Sequence, residues 1–168
     1  LMSVLGRVNY AYADKYLASV SARTDGSSKF AKGNRWGWFP SVSLGWRISE
    51  EPFLKKYYWL SSLKLRASWG LTGNNDIANY SFMNKLSSAN YSFGSGTGKV
   101  SSGLANPTSV IANRDITWEQ SSEYNYGLDL SLFDNRINFS GEYYYSETVQ
   151  MLYQQTALSI TGFQKFWN

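Results

Sequence analysis

Histidine and cysteine are absent from the 168 residues, and proline occurs only 3 times. Without cysteine, the chain can form neither a disulfide framework nor a thiolate metal site. Without histidine, it lacks the commonest general base and the commonest transition-metal ligand, so zinc chemistry and Ser-His-Asp catalysis are excluded. No apolar run reaches the roughly 20 residues that a membrane-spanning helix needs. These absences predict a protein that is not an enzyme and that uses no metal and no cofactor.

Aromatic residues are abundant: they make up 17% of the chain, beside 14 Gly. Aromatic side chains fit the pleated, half-buried surface of a β-sheet, so this composition favours β structure. The net charge is only +4, and the lysines and arginines are scattered along the chain. Nucleic-acid binding requires a basic stripe, and the sequence shows none. We therefore expect an all-β protein with no nucleic-acid partner.

Apolar and polar residues alternate along about six segments, which predicts six long antiparallel strands. The first two segments form a hairpin around a turn at residues 14–15, and the last two around a turn at 134–135. Polar stretches at 25–37 and 73–115 are interpreted as long loops, and so is the tail from Gln154 to Asn168. The connection at 49–60, with a single helical turn near its start, belongs with the short turns.

Such alternation fits both a soluble β-sandwich and a transmembrane β-barrel. Three features favour the barrel. The strands run to about 10–15 residues, against about 5–6 in globular proteins. Short turns on one side face long loops on the other. Aromatic residues gather at strand ends, where interfacial girdles belong: Tyr12, Tyr16, Trp36, Trp38, 57–59, Trp118 and Phe133. We therefore predict a segment of an antiparallel up-and-down transmembrane barrel in the outer membrane; the alternative is a soluble β-sandwich that binds glycans on exposed aromatics.

Seven segments carry a resemblance to a known family, in that family's order. They are YLA at 16–18, RTDGSSKF at 23–30, WGWFPSVSLGWRISEE at 36–51, LKLRASWGLTGN at 63–74, WE at 118–119, YNYGLD at 124–129 and TGF at 161–163. In these segments the chain resembles the SusC/RagA-type TonB-dependent transporters of Gram-negative bacteria, over nearly its whole length.

The resemblance implies a barrel of roughly 22 strands with a lumenal plug. It also implies a SusD-like lipoprotein lid, TonB and outer-membrane lipid as partners, and import of oligosaccharides or peptides. Residues 1–168 are then expected to be part of the barrel domain, with the plug and the remaining strands outside this chain. The start at Leu1, without a signal-peptide pattern, agrees with a fragment of a longer protein.

Two sets of residues are candidates for function. Charged residues on the polar side of the alternation are expected to face the lumen, as a solvated wall, as ion pairs or as substrate contacts: Arg23, Arg47, Lys64, Arg66, Glu119, Glu123, Asp129 and Glu142. Loop aromatics are candidates for contact with substrate or lid, with ordinary loop packing as the alternative: Phe30, Trp36, Tyr80, Phe82, Tyr91 and Phe93.

Two further patterns are rejected as sites. GSGTGK at 94–99 resembles a phosphate loop, but Val100 stands where a Ser or Thr should bind magnesium. Glu119 and Glu123 lie four apart on one strand, about 13 Å, which is too far for a glycosidase pair. The alternation also predicts orientation: Trp46 and Trp69 should point to lipid, and Arg47 and Arg66 to the lumen.

Overall fold

The structure is a computed structural model that describes residues 1–83, 87–93, 99–105, 110–158, 160 and 165–167. It divides into two compact units. The first contains Leu1–Gly26, Trp36–Asn74 and Glu119–Val149; the second contains Ser27–Arg35, Asn75–Trp118 and Gln150–Asn168. Among the described residues, no helix is both long and apolar enough to cross a bilayer.

Among the described residues, the structure gives bounds for eleven strands and one short 3-10 helix. In chain order they are β1 (Met2–Tyr12), β2 (Tyr16–Gly26), β3 (Trp36–Arg47), the 3-10 helix (Ile48–Glu50), β4 (Leu60–Asn74), β5 (Ser87–Phe93), β6 (Lys99–Ala105), β7 (Val110–Ile111), β8 (Glu119–Leu132), β9 (Ile137–Val149), β10 (Gln154–Thr156) and β11 (Lys165–Trp167). The first unit holds a six-stranded antiparallel sheet in the order β1-β2-β3-β4-β8-β9. The predicted all-β fold with six long strands is confirmed.

Alternation gives this sheet one apolar and one polar face, because the register pairs apolar residues with apolar residues and polar residues with polar residues on neighbouring strands. One row across all six strands reads Tyr10, Ala18, Leu44, Ala67, Tyr126 and Tyr143. The next row reads Asn9, Ser19, Ser43, Ser68, Asn125 and Tyr144. Successive residues of a strand point to opposite faces, so these rows lie on opposite sides of the sheet.

The two predicted hairpin turns are present and are built from left-handed backbone without glycine. Ala13 and Asp14 have φ of 50° and 54°, and the second turn has three such residues in succession, from Phe133 to Asn135, at 52° to 64°. Each turn is closed by a backbone hydrogen bond, of 3.0 Å from Lys15 N to Tyr12 O in the first case. Asp and Asn tolerate this conformation better than most residues, which explains their place here.

The second unit corrects two loop predictions. Within the predicted loop at 73–115, β5 and β6 form an antiparallel hairpin and β7 forms a short strand. Within the predicted tail loop, β10 pairs with β11, which also pairs with β7 in parallel. Residues 94–98 of the GSGTGK segment and residues 161–163 of the TGF segment lie outside the described residues.

Candidate functional site

All eight charged candidates lie on the polar face of the six-stranded sheet. The register and the period of two place them together: Arg23 on β2, Arg47 on β3, Lys64 and Arg66 on β4, Glu119, Glu123 and Asp129 on β8, and Glu142 on β9. The structure thus brings together residues that lie far apart in the chain. That this face borders a lumen remains a prediction.

Arg66 is the centre of an ion-pair network on this face. Its Nε and Nη2 donate to the two carboxylate oxygens of Asp129 at 2.8 and 3.2 Å, which is a bidentate pair. Nη2 also donates to Glu142 Oε1 at 2.7 Å. Ser140 donates its hydroxyl to Asp129 at 2.9 Å. The network joins β4, β8 and β9 and fixes the guanidinium of Arg66 against the polar face of the sheet.

A glycine on the middle strand makes this network possible. Gly127 lies between Arg66 and Glu142 in the same cross-strand row. A Cβ atom at position 127 would lie 3.0 Å from the Arg66 Cζ and Nη2 atoms. Because position 127 has no side chain, the guanidinium can lie across β8 and reach the carboxylate on β9.

Lys64 leans in the opposite direction. It is paired in register with Arg47 on β3 and with Asp129 on β8. Its Cε atom would lie 3.5 Å from a Cβ atom at Gly45, so its stem lies over β3 and away from β8. Within the described part of the chain, no ion pair joins Lys64 to a carboxylate.

At the other end of the polar face, the contacts join pairs of neighbouring side chains. Arg23 donates to Asp25 at 2.8 Å, and the hydroxyls of Ser21 and Ser41 are 2.7 Å apart. Phe39 is only 6% exposed, although it lies on the polar face. Its ring covers Gly73 on β4, where a Cβ atom would come within 2.0 Å of the Phe39 Cζ.

Aromatic side chains form two clusters on the apolar face. Near the short turns, Tyr16 stacks between Tyr12 and Trp46, with ring centroids 6.5 and 6.2 Å apart. Towards the long loops, Tyr124 contacts Trp69 and Tyr145, each at 6.4 Å. Trp46 and Trp69 therefore share the apolar face, and the register places Arg47 and Arg66 on the polar face. Which face meets lipid remains a prediction.

Glu51 ties the short-turn end of the sheet together. Its Oε1 accepts hydrogen bonds from the Tyr16 hydroxyl at 2.8 Å and from the Trp46 Nε1 at 3.3 Å. Its Oε2 accepts one from the Lys15 ammonium at 3.2 Å. The hydrogen bonds from Tyr16 and then Lys15 hold the pKa of Glu51 below its usual range. The sequence alone does not predict this role, because nothing in the alternation marks residues between strands.

The second unit has a small hydrophobic core of its own. Its members are each 9% exposed or less, and Phe30 is fully buried: Phe30, Ala31, Ile77, Ile116 and Trp118. The rings of Phe30 and Trp118 lie 5.3 Å apart, and the Trp118 Nε1 donates to the Arg35 carbonyl at 3.0 Å. We call these five residues the loop core, because they come from the segments that join the long strands.

Polar contacts bind the same segments around the loop core. The Asn34 amide donates to the carbonyls of Arg114 and Ile116 at 3.3 and 3.4 Å. The Lys29 ammonium donates to the Asn75 carbonyl at 3.2 Å, and the Asn75 amide donates to the Ser27 hydroxyl at 3.1 Å. Three chain segments thus form one hydrogen-bonded assembly.

The loop aromatics and the predicted girdle need two corrections. Phe30 is buried in the loop core, so it packs the loops and is unavailable to a ligand. Trp118, expected in the aromatic girdle, belongs to the same core. Trp36 is the first residue of β3 and lies on the apolar face with its ring over Gly26. Its contact with substrate or lid remains a prediction.

The remaining loop aromatics stay candidates. Tyr80 is 59% exposed, with a left-handed φ of 64°. Phe82 is half-buried. Tyr91 and Phe93 lie in β5, and their side chains are outside the described residues.

Comparison with known proteins gives one consistent result. Residues 3–165 match the family described as TonB dependent receptor-like, beta-barrel. The chain is 42% identical over 163 residues to TonB-dependent receptor P39 of Formosa agariphila, covering 97% of this chain and 15% of that protein. It is 39% identical over 159 residues to TonB-dependent receptor SusC of Bacteroides thetaiotaomicron, covering 90% and 15%.

A solved structure agrees with these relatives. The RagAB peptide importer in its closed-closed state superimposes with a TM-score of 0.85 at 32% identity, covering 99% of this chain and 17% of that chain. The chain thus spans about a sixth of the length of the proteins it matches. The predicted resemblance is confirmed, and the alternative of a soluble β-sandwich is set aside. The chain belongs to the SusC/RagA-like TonB-dependent receptor β-barrel family, whose members are bacterial outer-membrane proteins and not enzymes.

Proposed function

We propose that the protein containing this chain imports oligosaccharides or peptides across the outer membrane, with energy delivered through TonB. In this proposal the six-stranded sheet is part of the barrel wall. Its apolar face meets lipid, and its polar face lines the lumen. The observation that carries the proposal is that all eight charged candidates, from five strands, lie on one face of the six-stranded sheet.

Exposure of the apolar face supports this orientation. Val8 is 71% exposed, Leu44 56% and Tyr143 66%, although all three belong to that face. Apolar patches of such extent on a protein surface mark an interaction site or a membrane contact. The ten residue steps from Trp36 to Trp46 span about 33 Å along the strand and about 23 Å when tilted by 45°. This height agrees with the apolar band of roughly 25 Å on outer-membrane barrels.

Charge gives a second argument for the same orientation. A lysine or arginine at the bilayer midplane costs about 2–4 kcal/mol when it faces lipid. Arg66 lies near the middle of β4, and Lys64 lies two residues closer to the beginning of the strand. A slip of the register by one residue would turn both side chains towards hydrocarbon. Leu65 and Ala67 take those positions instead.

Spin labels test the orientation directly. Nitroxides at positions 46 and 47 of the full-length protein in bilayers should differ, with 46 more accessible to lipid-dissolved oxygen and 47 to a water-soluble relaxation agent. Positions 65 and 64 provide a matched pair on β4. Greater oxygen accessibility at 47 than at 46 would show that the register or the orientation is wrong.

The relatives support a proposal for the substrate and the partners. RagAB is described as a peptide importer, and SusC belongs to the same family. We therefore propose an oligosaccharide or a peptide as cargo, a SusD-like lipoprotein as lid and TonB as the energy-coupling partner. Trp36, Tyr80, Phe82, Tyr91 and Phe93 remain the proposed aromatic contacts for cargo or lid.

Uptake by whole cells tests the import function. Deletion of the full-length gene should abolish uptake of at least one labelled oligosaccharide or peptide, and the gene on a plasmid should restore it. Deletion of TonB should give the same loss while the protein remains in the outer membrane. Unchanged uptake and growth on every oligomeric nutrient would contradict import.

A further inference from the structure

The polar face carries a cavity of about 530 Å³ beside Lys64. Small or neutral polar side chains from β1, β2, β3, β4 and β8 line it: Asn9, Ser19, Ser43, Ser68 and Asn125. Lys64 and Arg66 are its only charged lining residues among those described. The cavity therefore presents hydroxyl and amide groups and two cations beside the apolar side chains of Ala11 and Leu17.

The two cations differ in how far their charge is already matched. Arg66 is held by the carboxylates of Asp129 and Glu142. Lys64 extends over Gly45 on β3 and forms no ion pair among the described residues, although its charge still acts on Asp129 through space. Both oxygens of Asp129 are already bound, by Arg66 and by Ser140. The three ammonium donors of Lys64 thus form no ion pair among the described residues.

Arg47 adds to the positive charge at this point. It lies directly opposite Lys64 in the register of β3 and β4. Like charges directly opposite each other in a sheet repel, and an anion placed between or beside them relieves that repulsion. Ser43 and Ser68 line the same cavity as Lys64, and their hydroxyls can donate hydrogen bonds to a carboxylate that the ammonium holds there.

We propose that Lys64, with Ser43 and Ser68, forms a subsite for a carboxylate group of the imported cargo. The cargo class is then an acidic oligopeptide or an oligosaccharide that contains a uronate. This inference rests on the proposed import function and adds charge selectivity to it. Lys64 contacts the carboxylate, while Arg66 serves as a structural cation of the wall.

The test compares matched cargo in cells that produce the full-length protein. One pair is a labelled octapeptide with a single Glu and the same peptide with Gln; the other is an oligosaccharide with and without a uronate group. The unaltered protein should favour the acidic member of the pair it transports. Lys64→Met should lower that preference about 3- to 10-fold, through a higher KM for the acidic member alone.

Three controls make the result specific. Lys64→Arg keeps the charge and should retain the preference. Lys56→Met removes a lysine from the connection at 48–59, outside the polar face, and should change nothing. Folded protein in the outer membrane, measured by its heat-dependent mobility on gels, must match the unaltered level; Lys64→Gln replaces Lys64→Met if the latter does not fold.

The outcomes separate this inference from the import function. Uptake of neither pair by the unaltered protein would count against import of these cargo classes. If the unaltered protein transports a pair and Lys64→Met leaves the acid preference intact, the subsite does not exist. An equal loss of both members would also overturn it, since Lys64 would then support the fold or another segment of the protein.

Discussion

Replacement of Gly73 by alanine should destabilise the sheet, because the Phe39 ring occupies the place of the new methyl group. A Cβ atom at position 73 would lie 2.0 Å from Cζ, 2.3 Å from Cε1 and 2.8 Å from Cε2 of Phe39. Carbon atoms in contact prefer about 3.5–4.0 Å, so the ring would have to move by at least about 1.5 Å. Phe39 is only 6% exposed, which leaves it little room.

Two opposing contributions set the size of the effect. Overpacking of this kind costs about 1–3 kcal/mol. A change from glycine to alanine at an unstrained position instead stabilises by about 0.4–1 kcal/mol, since the unfolded chain loses freedom. Gly73 has no positive φ, so it receives this second contribution. The net loss for Gly73→Ala should be about 0.5–2 kcal/mol.

Unfolding of the full-length protein by urea in lipid vesicles or detergent micelles measures this difference. Gly6→Ala is the matched control, because a Cβ atom at Gly6 on β1 would meet nothing within 4 Å. It should leave stability unchanged or raise it slightly. Phe39→Leu should relieve part of the penalty when combined with Gly73→Ala. If Gly73→Ala is no less stable than Gly6→Ala, the packing of Phe39 over Gly73 is refuted.

Three further perturbations test, in turn, the ion-pair network of the first unit, the loop core of the second unit and the contacts of Glu51 at the short-turn end. Gly127→Val should displace the Arg66 guanidinium and so break the ion-pair network on the polar face. The free energy of unfolding should fall by about 1–3 kcal/mol in the same unfolding assay. An unchanged unfolding midpoint would contradict this role of Gly127. Phe30→Ala should cost about 3–5 kcal/mol in the second unit, seen as faster hydrogen exchange of the amides at 27–35; exchange that stays slow would show that the loop core does not depend on Phe30. The lowered pKa of Glu51 means that its stabilisation is present at neutral pH and is lost as the pH falls through that pKa. The protection factor of the Lys15 amide, which corrects for the slower intrinsic exchange in acid, should therefore fall as the pH is lowered, and Glu51→Gln should remove this pH dependence. A fall in protection that persists in the variant would locate the titrating group elsewhere.

The long strands and their faces could be predicted because a period of two was sustained over many residues. In β4, for example, Leu65 and Trp69 alternate with Lys64 and Arg66, and no helical period fits that pattern. Once one residue of such a strand is assigned to a face, all others follow. The same reasoning placed all eight charged candidates on one face before any pairing was known.

The loop core could not be predicted, because it has no period. Asn34 and Ile116 are hydrogen-bonded although 82 residues separate them along the chain. Phe30 and Trp118 are single apolar residues within polar stretches, and such residues look like exposed contacts until their partners are known. The β5–β6 hairpin was missed for a related reason: β6 reads KVSSGLA, with no strict alternation, and its pairing depends on backbone hydrogen bonds.

Pairing also explains features that composition alone leaves open. Gly127 appears in the sequence as one more glycine in a strand, where glycine usually weakens the structure. Only the row that joins Arg66, Gly127 and Glu142 shows that its missing side chain admits an ion pair. The role of Glu51 likewise depends on three neighbours that the turns bring together.

The two hairpin turns are not level with each other, and their offset measures the inclination of the strands. The last pair of β1 and β2 is Tyr12 with Tyr16, and the register carries that row across β3 and β4 to Leu128. The last pair of β8 and β9, Leu132 with Ile137, lies four residues further along. Four residues rise about 13 Å, while the two hairpins are four strand spacings, about 19 Å, apart. Because the proposed function places both turns at one bilayer surface, the strands must slope by about 35°, within the range of about 35–45° for outer-membrane barrels.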